Sequence, residues 1–479
     1  MKSRYFFFIA FFCLISIAFS QNNTNYFDYN EIPLSVIEDS DQNYVIVGFT
    51  YDSLFDRSNG TIIRLNSNGD IINQLTLGNE EENLKLGKIL YINNIYTLFG
   101  GILNTNTSHR NLLFLQFDEQ WNEINRKLIP IPYDRTLGSY FPVLDSDSMF
   151  VISGSTLALS NGYTDHFYIK LDSEGDTIVT IFKNSEFQPM SLTILESQDH
   201  SKYYDIISGY EVNAPSGILQ LDKNFNSIVF NKIEIPSYYY TYGSLVMSDS
   251  TLLVVGNQLI SNWLLTLVLV HENARVIESH TFRRDSLMKE LPAFSQPLSR
   301  FGNNVFLGAT SNYDHWGAQY SNYDSWFHLI KMDENLNIHW EKWYGGDAYY
   351  FLNSVLGTSD GGCLMVGTKH PHGSPSLIRG SHFIKVDANG NVQWTQNVEI
   401  PEWSYKVYPN PTQSVFNIEN NEMDIQSVEL FDISGKLLNS VQDCNNMTIS
   451  IDLSSFSQGI YLAKIKSSKG IRTEKVVRN

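Results

Sequence analysis

A short apolar strand ending in glycine occurs seven times between residues 30 and 400, and nothing else in this chain constrains its fold as strongly. The first copy is Tyr44-Val45-Ile46-Val47-Gly48 and the last is Cys363-Leu364-Met365-Val366-Gly367, with Gly100, Gly154, Gly209, Gly256 and Gly308 closing the five between them. Each copy is followed by a second apolar strand that stops at a polar turn, at Asn66, Asp118, Asp172, Asp222, His271, Asp333 and Asp387, and then by a third that opens on a residue such as Ile71, Ile338 or Val392. A segment ahead of each glycine strand, such as 34–37 or 352–355, supplies an innermost strand. The turns recur at intervals of 49 to 62 residues. Units of four strands, each about five residues long, leave no room for helices of any size. A lone four-stranded sheet cannot bury both its faces, whereas seven of them can by closing into a ring. The pattern predicts an all-β fold, a seven-bladed β-propeller. Stacked β-helical rungs are the competing arrangement, with shorter and more uniform repeats.

In an up-and-down sheet, the loop between the second and third strands and the connection to the next sheet emerge at one end. That end is the irregular one: the glycine-to-turn distance is 18 residues in the first three repeats but 25 in the sixth and 20 in the seventh. Binding residues collect on loops held by a rigid scaffold, which makes this rim the candidate binding face. The sixth loop supplies Tyr313, Asp314, Trp316, Tyr320, Tyr323 and Asp324, and the connections add Tyr239 and Tyr349. Flat amphipathic rings beside carboxylates and amides suit sugar or peptide recognition, and the same rings serve equally well to pack blade against blade. Asp314, Asp324 and Asp347 are the acids a glycoside hydrolase would need, if their separation were right. His370, His372 and His382 fall in one loop without the helical spacing or cysteine pairs of a metal site. Asn66-Ser67-Asn68-Gly69-Asp70 and Asp387-Ala388-Asn389-Gly390-Asn391 have the oxygen-rich look of calcium loops but lack the closing glutamate. Asn-Gly between strands is a hairpin signal. No nucleophile elbow, phosphate loop or dinucleotide fingerprint is present, and no cofactor or metal is expected.

Lys2 and Arg4 precede an apolar stretch over 5–19, the plan of a secretory signal with cleavage after Ser20. Cys13 falls inside that stretch, leaving Cys363 and Cys444, which do not make a disulfide framework. Losing Lys2 and Arg4 moves the net charge from −18 to −20. A chain this acidic repels phosphate backbones, so nucleic acid is excluded as a partner. Other apolar runs are far shorter than the roughly 18 to 20 residues that span a bilayer, and an integral membrane protein is not expected.

The last 73 residues, 407–479, read differently from the body. Val407-Tyr408-Pro409-Asn410-Pro411 marks a stiff lead-in turn. Strand-like runs at period two then alternate with Ser434-Gly435-Lys436 and Gly459-Ile460-Tyr461, and the chain ends on Lys475-Val476-Val477-Arg478 and Asn479. These runs predict a small antiparallel, Ig-like β-sandwich. In this order the landmarks resemble the type A C-terminal sorting domain of proteins exported by the type IX secretion system of Bacteroidetes-type bacteria. The resemblance implies that Pro409, Asn410, Pro411, Gly435, Gly459, Tyr461 and Lys475 are recognition features for the secretion machinery. It also implies passage through the periplasm and outer membrane to the cell surface or medium. Arg478 stands where many relatives have lysine. The domain plan is then a signal peptide (1–20), a propeller (21–400), a linker (401–406) and a sorting domain (407–479). The expected function is a noncatalytic binding module for a glycan or protein partner, with a polysaccharide hydrolase or lyase as the alternative.

Overall fold

Strands of each repeat pair in chain order, from the central axis outwards, as the period-two runs and tight polar turns require. The computed structural model describes residues 32–479 apart from 52–56, 79–80, 108–109, 133–134, 159–163, 184–189, 209–215, 235–237, 249, 260–262, 286–287, 314–322, 373–379, 399–404, 421–424, 433–436, 443–447 and 468–469. Blade 1 holds β1 (Ile32–Glu38), β2 (Tyr44–Tyr51), β3 (Ser58–Leu65) and β4 (Ile71–Leu77). Blade 2 holds β5 (Glu82–Ile92), β6 (Ile95–Asn104), β7 (Arg110–Phe117) and β8 (Glu123–Pro130). Blade 3 holds β9 (Arg135–Leu144), β10 (Phe150–Ala158), β11 (Thr164–Leu171) and β12 (Thr177–Lys183). Blade 4 holds β13 (Met190–Glu196), β14 (Lys202–Ser208), β15 (Gly217–Asp222) and β16 (Ser227–Lys232). Blade 5 holds β17 (Tyr238–Ser248), β18 (Thr251–Leu259), β19 (Trp263–His271) and β20 (Val276–Phe282). In blade 6 the inner strand is split into β21 (Glu290–Pro292) and β22 (Leu298–Phe301), followed by β23 (Asn304–Ser311), β24 (Trp326–Asp333) and β25 (Ile338–Gly345). Blade 7 holds β26 (Ala348–Gly357), β27 (Cys363–Pro371), β28 (Gly380–Val386) and β29 (Val392–Val398).

Both faces of every sheet are buried, and alternate residues of one strand serve opposite neighbours. Leu252 and Val254 pack toward blade 4, Leu253 and Val255 toward blade 6. Cys363 and Met365 join the core shared with blade 6. Leu364 and Val366 meet Val36, Tyr44 and Ile46 of blade 1. That last cluster closes the ring. Among the described residues the seam has no strand exchanged across it, since blade 1 and blade 7 are each built from four consecutive strands. Side chains hold it instead: Ser359 donates from its N and its Oγ to the Glu38 carboxylate, both at 2.7 Å, and Trp394 Nε1 donates to Ser67 O at 2.9 Å.

The repeated glycine has a local cause. Opposite it the inner strand slips register by one residue, between Pro33 and Ser35 across from Gly48 and between Leu352 and Ser354 across from Gly367. Such a bulge brings inner-strand backbone toward its partner. A Cβ on Gly48 would stand 2.1 Å from Ile32 O, and one on Gly367 2.3 Å from Phe351 O.

The tail forms β30 (Tyr405–Tyr408), β31 (Val415–Asn420), β32 (Ile425–Asp432), β33 (Leu437–Gln442), β34 (Thr448–Asp452), β35 (Gly459–Ser467) and β36 (Gly470–Arg478). One sheet runs β30-β31-β34 and the other β36-β35-β32-β33. Between them lies a core of their own, with Phe416, Ile418, Val428, Leu430, Ile451, Ile465 and Val476. A single parallel pair, Ile471 with Leu75, links β36 to β4. Because β30 already pairs with β31, the turn at Pro409-Asn410-Pro411 follows the first strand of the sandwich rather than preceding the domain. The prolines end that strand by removing its N–H donors.

Candidate functional site

At the end of the ring that carries the two hairpin turns of each blade, the polar groups are committed to the scaffold. Asp387 Oδ1 accepts from the N of Asn389 and of Asn391, both at 2.8 Å, and its Oδ2 accepts from Asn391 Nδ2 at 3.1 Å. These bonds, the backbone of Asn391 foremost, hold its carboxyl below the usual range. Asp222 and Asp333 are bonded in the same way. Two residues before six of the seven turn heads, all but His271, where Leu269 stands, a buried or half-buried polar side chain ties blades or turns together. Arg64 reaches Asp39 at 2.9 Å, Lys170 reaches Asp145 at 3.1 Å and Lys385 reaches Asp360 at 2.7 Å. Lys331 instead donates to Gly361 O and Ala388 O of blade 7. A cleft of about 390 Å³ opens on this end at the seam, between Glu38, Tyr44, Asp360 and Trp394. Its two carboxylates are already taken by Ser359 and Lys385.

The opposite end, where the loops emerge, is built differently. Across blades 5 to 7 the rings of Trp263 and Tyr313 stack at 5.7 Å, Tyr313 meets Phe351 at 6.0 Å, and Phe351 meets Phe294 at 6.4 Å. All four are half-buried. Tyr313 is fixed by its N donating to Lys289 O, and the base of the sixth loop is tied by Asn312 Nδ2 donating to Asp324 O at 2.7 Å. Asp324 pairs with His372 of the neighbouring loop at 3.1 Å. Asp347 pairs with Lys369 at 2.8 Å and accepts from the Tyr350 hydroxyl. The Lys369 bond first, then the Tyr350 bond, keeps the Asp347 carboxyl below its ordinary value.

Beneath that loop sits a buried ion cluster. His328, fully buried, contacts Glu290 at 3.0 Å through Nδ1 and Glu341 at 2.9 Å through Nε2. Burial alone would strip its proton, but the two glutamates outweigh it and raise the imidazole pKa above the usual value. Ser311 Oγ donates to Glu290 at 2.6 Å, His328 stacks on Trp343 at 4.7 Å, and the Arg284 guanidinium lies 3.9 Å from the Trp326 ring centre. Ser311 and Trp326 are the last and first strand residues on either side of the sixth loop. The cluster is therefore the pedestal from which that loop rises.

Of the rim residues expected from sequence, Tyr313, Tyr323 and Asp324 stand together at the loop end, Tyr323 exposed at 41%. Tyr349, at 3% exposure, is inside the blade, opposite His370 in the β26/β27 register, and offers no ring face to the rim. Tyr239 lies on β17 opposite Gln258, with its side chain outside the described set. Asp314, Trp316 and Tyr320 lie outside the described residues, as do Gly435 and the signal segment. Trp263, Arg284 and the Glu290–His328–Glu341 cluster were not foreseen. Only Trp263, an aromatic at the mouth of a strand, carried a signal in sequence.

In the tail the remaining landmarks converge. Asn410 Oδ1 accepts from Val477 N at 2.9 Å, Thr412 N donates to Val477 O at 2.8 Å, and Asn479 N donates to Thr412 O at 2.9 Å. Gly459 pairs with Arg478, Tyr461 with Val476 and Leu462 with Lys475, whose side chain is outside the described set. The Tyr461 hydroxyl donates to Ser457 O, and Pro409 and Pro411 are exposed beside this edge. The two ends of the motif, 67 residues apart, thus form one continuous edge.

No curated protein is similar in sequence. Among solved structures, a puromycin hydrolase mutant matches with a TM-score of 0.50 at 8% identity, covering 82% of this chain and 58% of its own. The periplasmic gluconolactonase of Pseudomonas aeruginosa matches at 0.48 and 9%, covering 78% and 96%. The β-propeller domain of the Trilobed protease of Pyrococcus furiosus matches at 0.41 and 10%, covering 77% and 97%. The chain spans less than two thirds of the hydrolase, and the likeness is one of fold alone: an all-β propeller. Residues 406–479 match the family described as the secretion system C-terminal sorting domain, starting one residue before the boundary read from sequence. The propeller thus carries at its C-terminus a member of the sorting-domain family of the type IX secretion system, and the protein is exported through the outer membrane.

Proposed function

We propose that the propeller is a noncatalytic recognition module that binds a glycan through the loop end of blades 5 to 7. The observation that carries this reading is the run of half-buried rings Trp263, Tyr313 and Phe351, contributed by three blades, beside the exposed Tyr323 and the Asp324–His372 pair. Rings give apolar faces for stacking against sugar and the polar pair fixes orientation. Against a hydrolase or lyase, Asp324 and Asp347 are each engaged with a partner of their own, His372 and Lys369, rather than set as an acid and a base on either side of one bond. A glycan array followed by product analysis tests this. The expected result is binding without turnover, reduced about tenfold, or about 1.4 kcal/mol, by Trp263→Ala. Release of reducing ends that Asp324→Asn abolishes would establish the enzyme instead, and capture of a surface protein without any glycan would replace the ligand class.

A further inference from the structure

The inner strand of blade 6 is broken between Pro292 and Leu298, and the excursion does something no other blade does among the described residues. Its backbone turns to blade 7, Phe294 N donating to Leu352 O, and Ser295 N and Gln296 N to Asn353 O. Gln296 then extends over the axis: its Nε2 donates to Val355 O at 3.2 Å, and its Oε1 accepts from Lys88 Nζ, on the inner strand of blade 2, at 2.7 Å. The ammonium of Lys88 is half-buried, has no ion pair among the described residues, and meets a neutral amide as its one hydrogen-bond partner there. Burial, with no compensating charge, pushes that amine down to about 8. Three residues nearer the loop end, Lys85 lies 5.1 Å from the ring centres of both Phe49 and Tyr51 and is likewise pushed down by burial, to about 7. Asn353, beside the excursion and 1% exposed, keeps a side-chain Nδ2 with no hydrogen-bond partner among the described residues.

Buried cations are normally paired, and this chain has acids to spare, yet Lys88, on the inner strand of blade 2, is met among the described residues by an amide from the blade opposite. Resting on the glycan reading above, we propose that the ring opens along its axis as a channel reached from the loop end, and that this channel takes an anionic substituent of the ligand, with Lys88 as its charge partner, so that the glycan recognised is an acidic one.

Calorimetry on the secreted full chain at low ionic strength, with trigalacturonate, a sulfated trisaccharide and a neutral galactan trisaccharide, separates the cases. Acidic probes are expected to bind at least tenfold more tightly than the neutral one. Lys88→Met should erase that difference and most of the salt dependence, while Lys88→Arg, which keeps the charge, preserves both. Lys127→Met, at an exposed pair on the turn end, should leave binding unchanged. Preference for the carboxylated or the sulfated probe identifies the anion. Equal binding of neutral and acidic probes, unmoved by Lys88→Met, overturns the channel site and leaves the recognition reading standing. Binding of none of them overturns the recognition reading, and a lysine resonance of the reductively 13C-methylated protein, missing in Lys88→Arg, then decides the channel alone: a shift on adding galacturonate supports it and no shift overturns it.

Discussion

His328 shows why single residues of the site escaped sequence reading. Its partners Glu290 and Glu341 lie 38 and 13 residues away on two other strands, and a histidine inside an apolar strand looks like any satisfied core histidine. The glycines were legible because the apolar strand that ends in glycine recurs seven times in the sequence, whereas the ion cluster occurs once. The cluster carries a pH dependence of definite sign. A folded-state pKa raised above the ordinary imidazole value of about 6.5 contributes stability that is complete below that value and is lost as pH rises through the folded one. The groups facing the ring are the carboxylates of Glu290 and Glu341, with the Trp343 face alongside. Melting temperature should therefore fall between pH 6 and pH 9 more steeply in the wild-type protein than in His328→Gln. Parallel curves would remove the ion cluster from the stability of the loop pedestal.

At the scale of the hairpin, the seven outer turns obey one rule that the sequence shows only in part. The third residue after each turn head has positive φ: Gly69, Trp121, Gly175, Phe225, Ala274, Leu336 and Gly390. Asn-Gly and Glu-Gly announce this conformation, but Trp121, Phe225, Ala274 and Leu336 do not, since bulky residues seldom adopt it. Packing compensates for them: Phe225 stacks against Tyr168 at 5.3 Å and Tyr203 at 5.6 Å. Where glycine occupies the position, the preceding blade fills the space, Trp394 over Gly69 and Phe114 over Gly175. Six of these turns also depend on a polar side chain two residues before the turn head, the fifth having Leu269 there. Lys385, 1% exposed, donates to Asp360, Val386 O and Gln393. Lys385→Met keeps the aliphatic stem and leaves those acceptors unmatched, a loss of about 2 kcal/mol for a buried charged hydrogen-bond node. Chemical denaturation should show a lower midpoint at unchanged slope, and an unshifted midpoint would mean that the ammonium contributes nothing net to the turn end.

Over the whole molecule, the seven repeats were readable, but their closure into a ring was not: seven sheets with two apolar faces each need seven shared cores, and it is the structure that supplies the seventh, joining Leu364, Val366 and Phe383 to Val36, Ile46 and Leu65. The seam without a shared strand was not readable, because it depends on which four strands the chain groups into a blade. Neither was the inward reach of Gln296, which comes from one irregular excursion rather than from the repeat. The tail stands apart from this ring. Its core draws on residues from 407 onward alone, and one parallel residue pair joins its sheet to blade 1. Removing 405–479 therefore takes no residue from any of the seven interblade cores, and the truncated propeller should melt at the temperature of the propeller in the full chain. What it loses is the edge where Asn410, Val477 and Arg478 meet. Fractionation of cells expressing the truncated form should find a folded propeller held in the periplasm. Surface display at the normal level would show that the address lies in the propeller, and a propeller that melts early would show that the sandwich also serves as its brace.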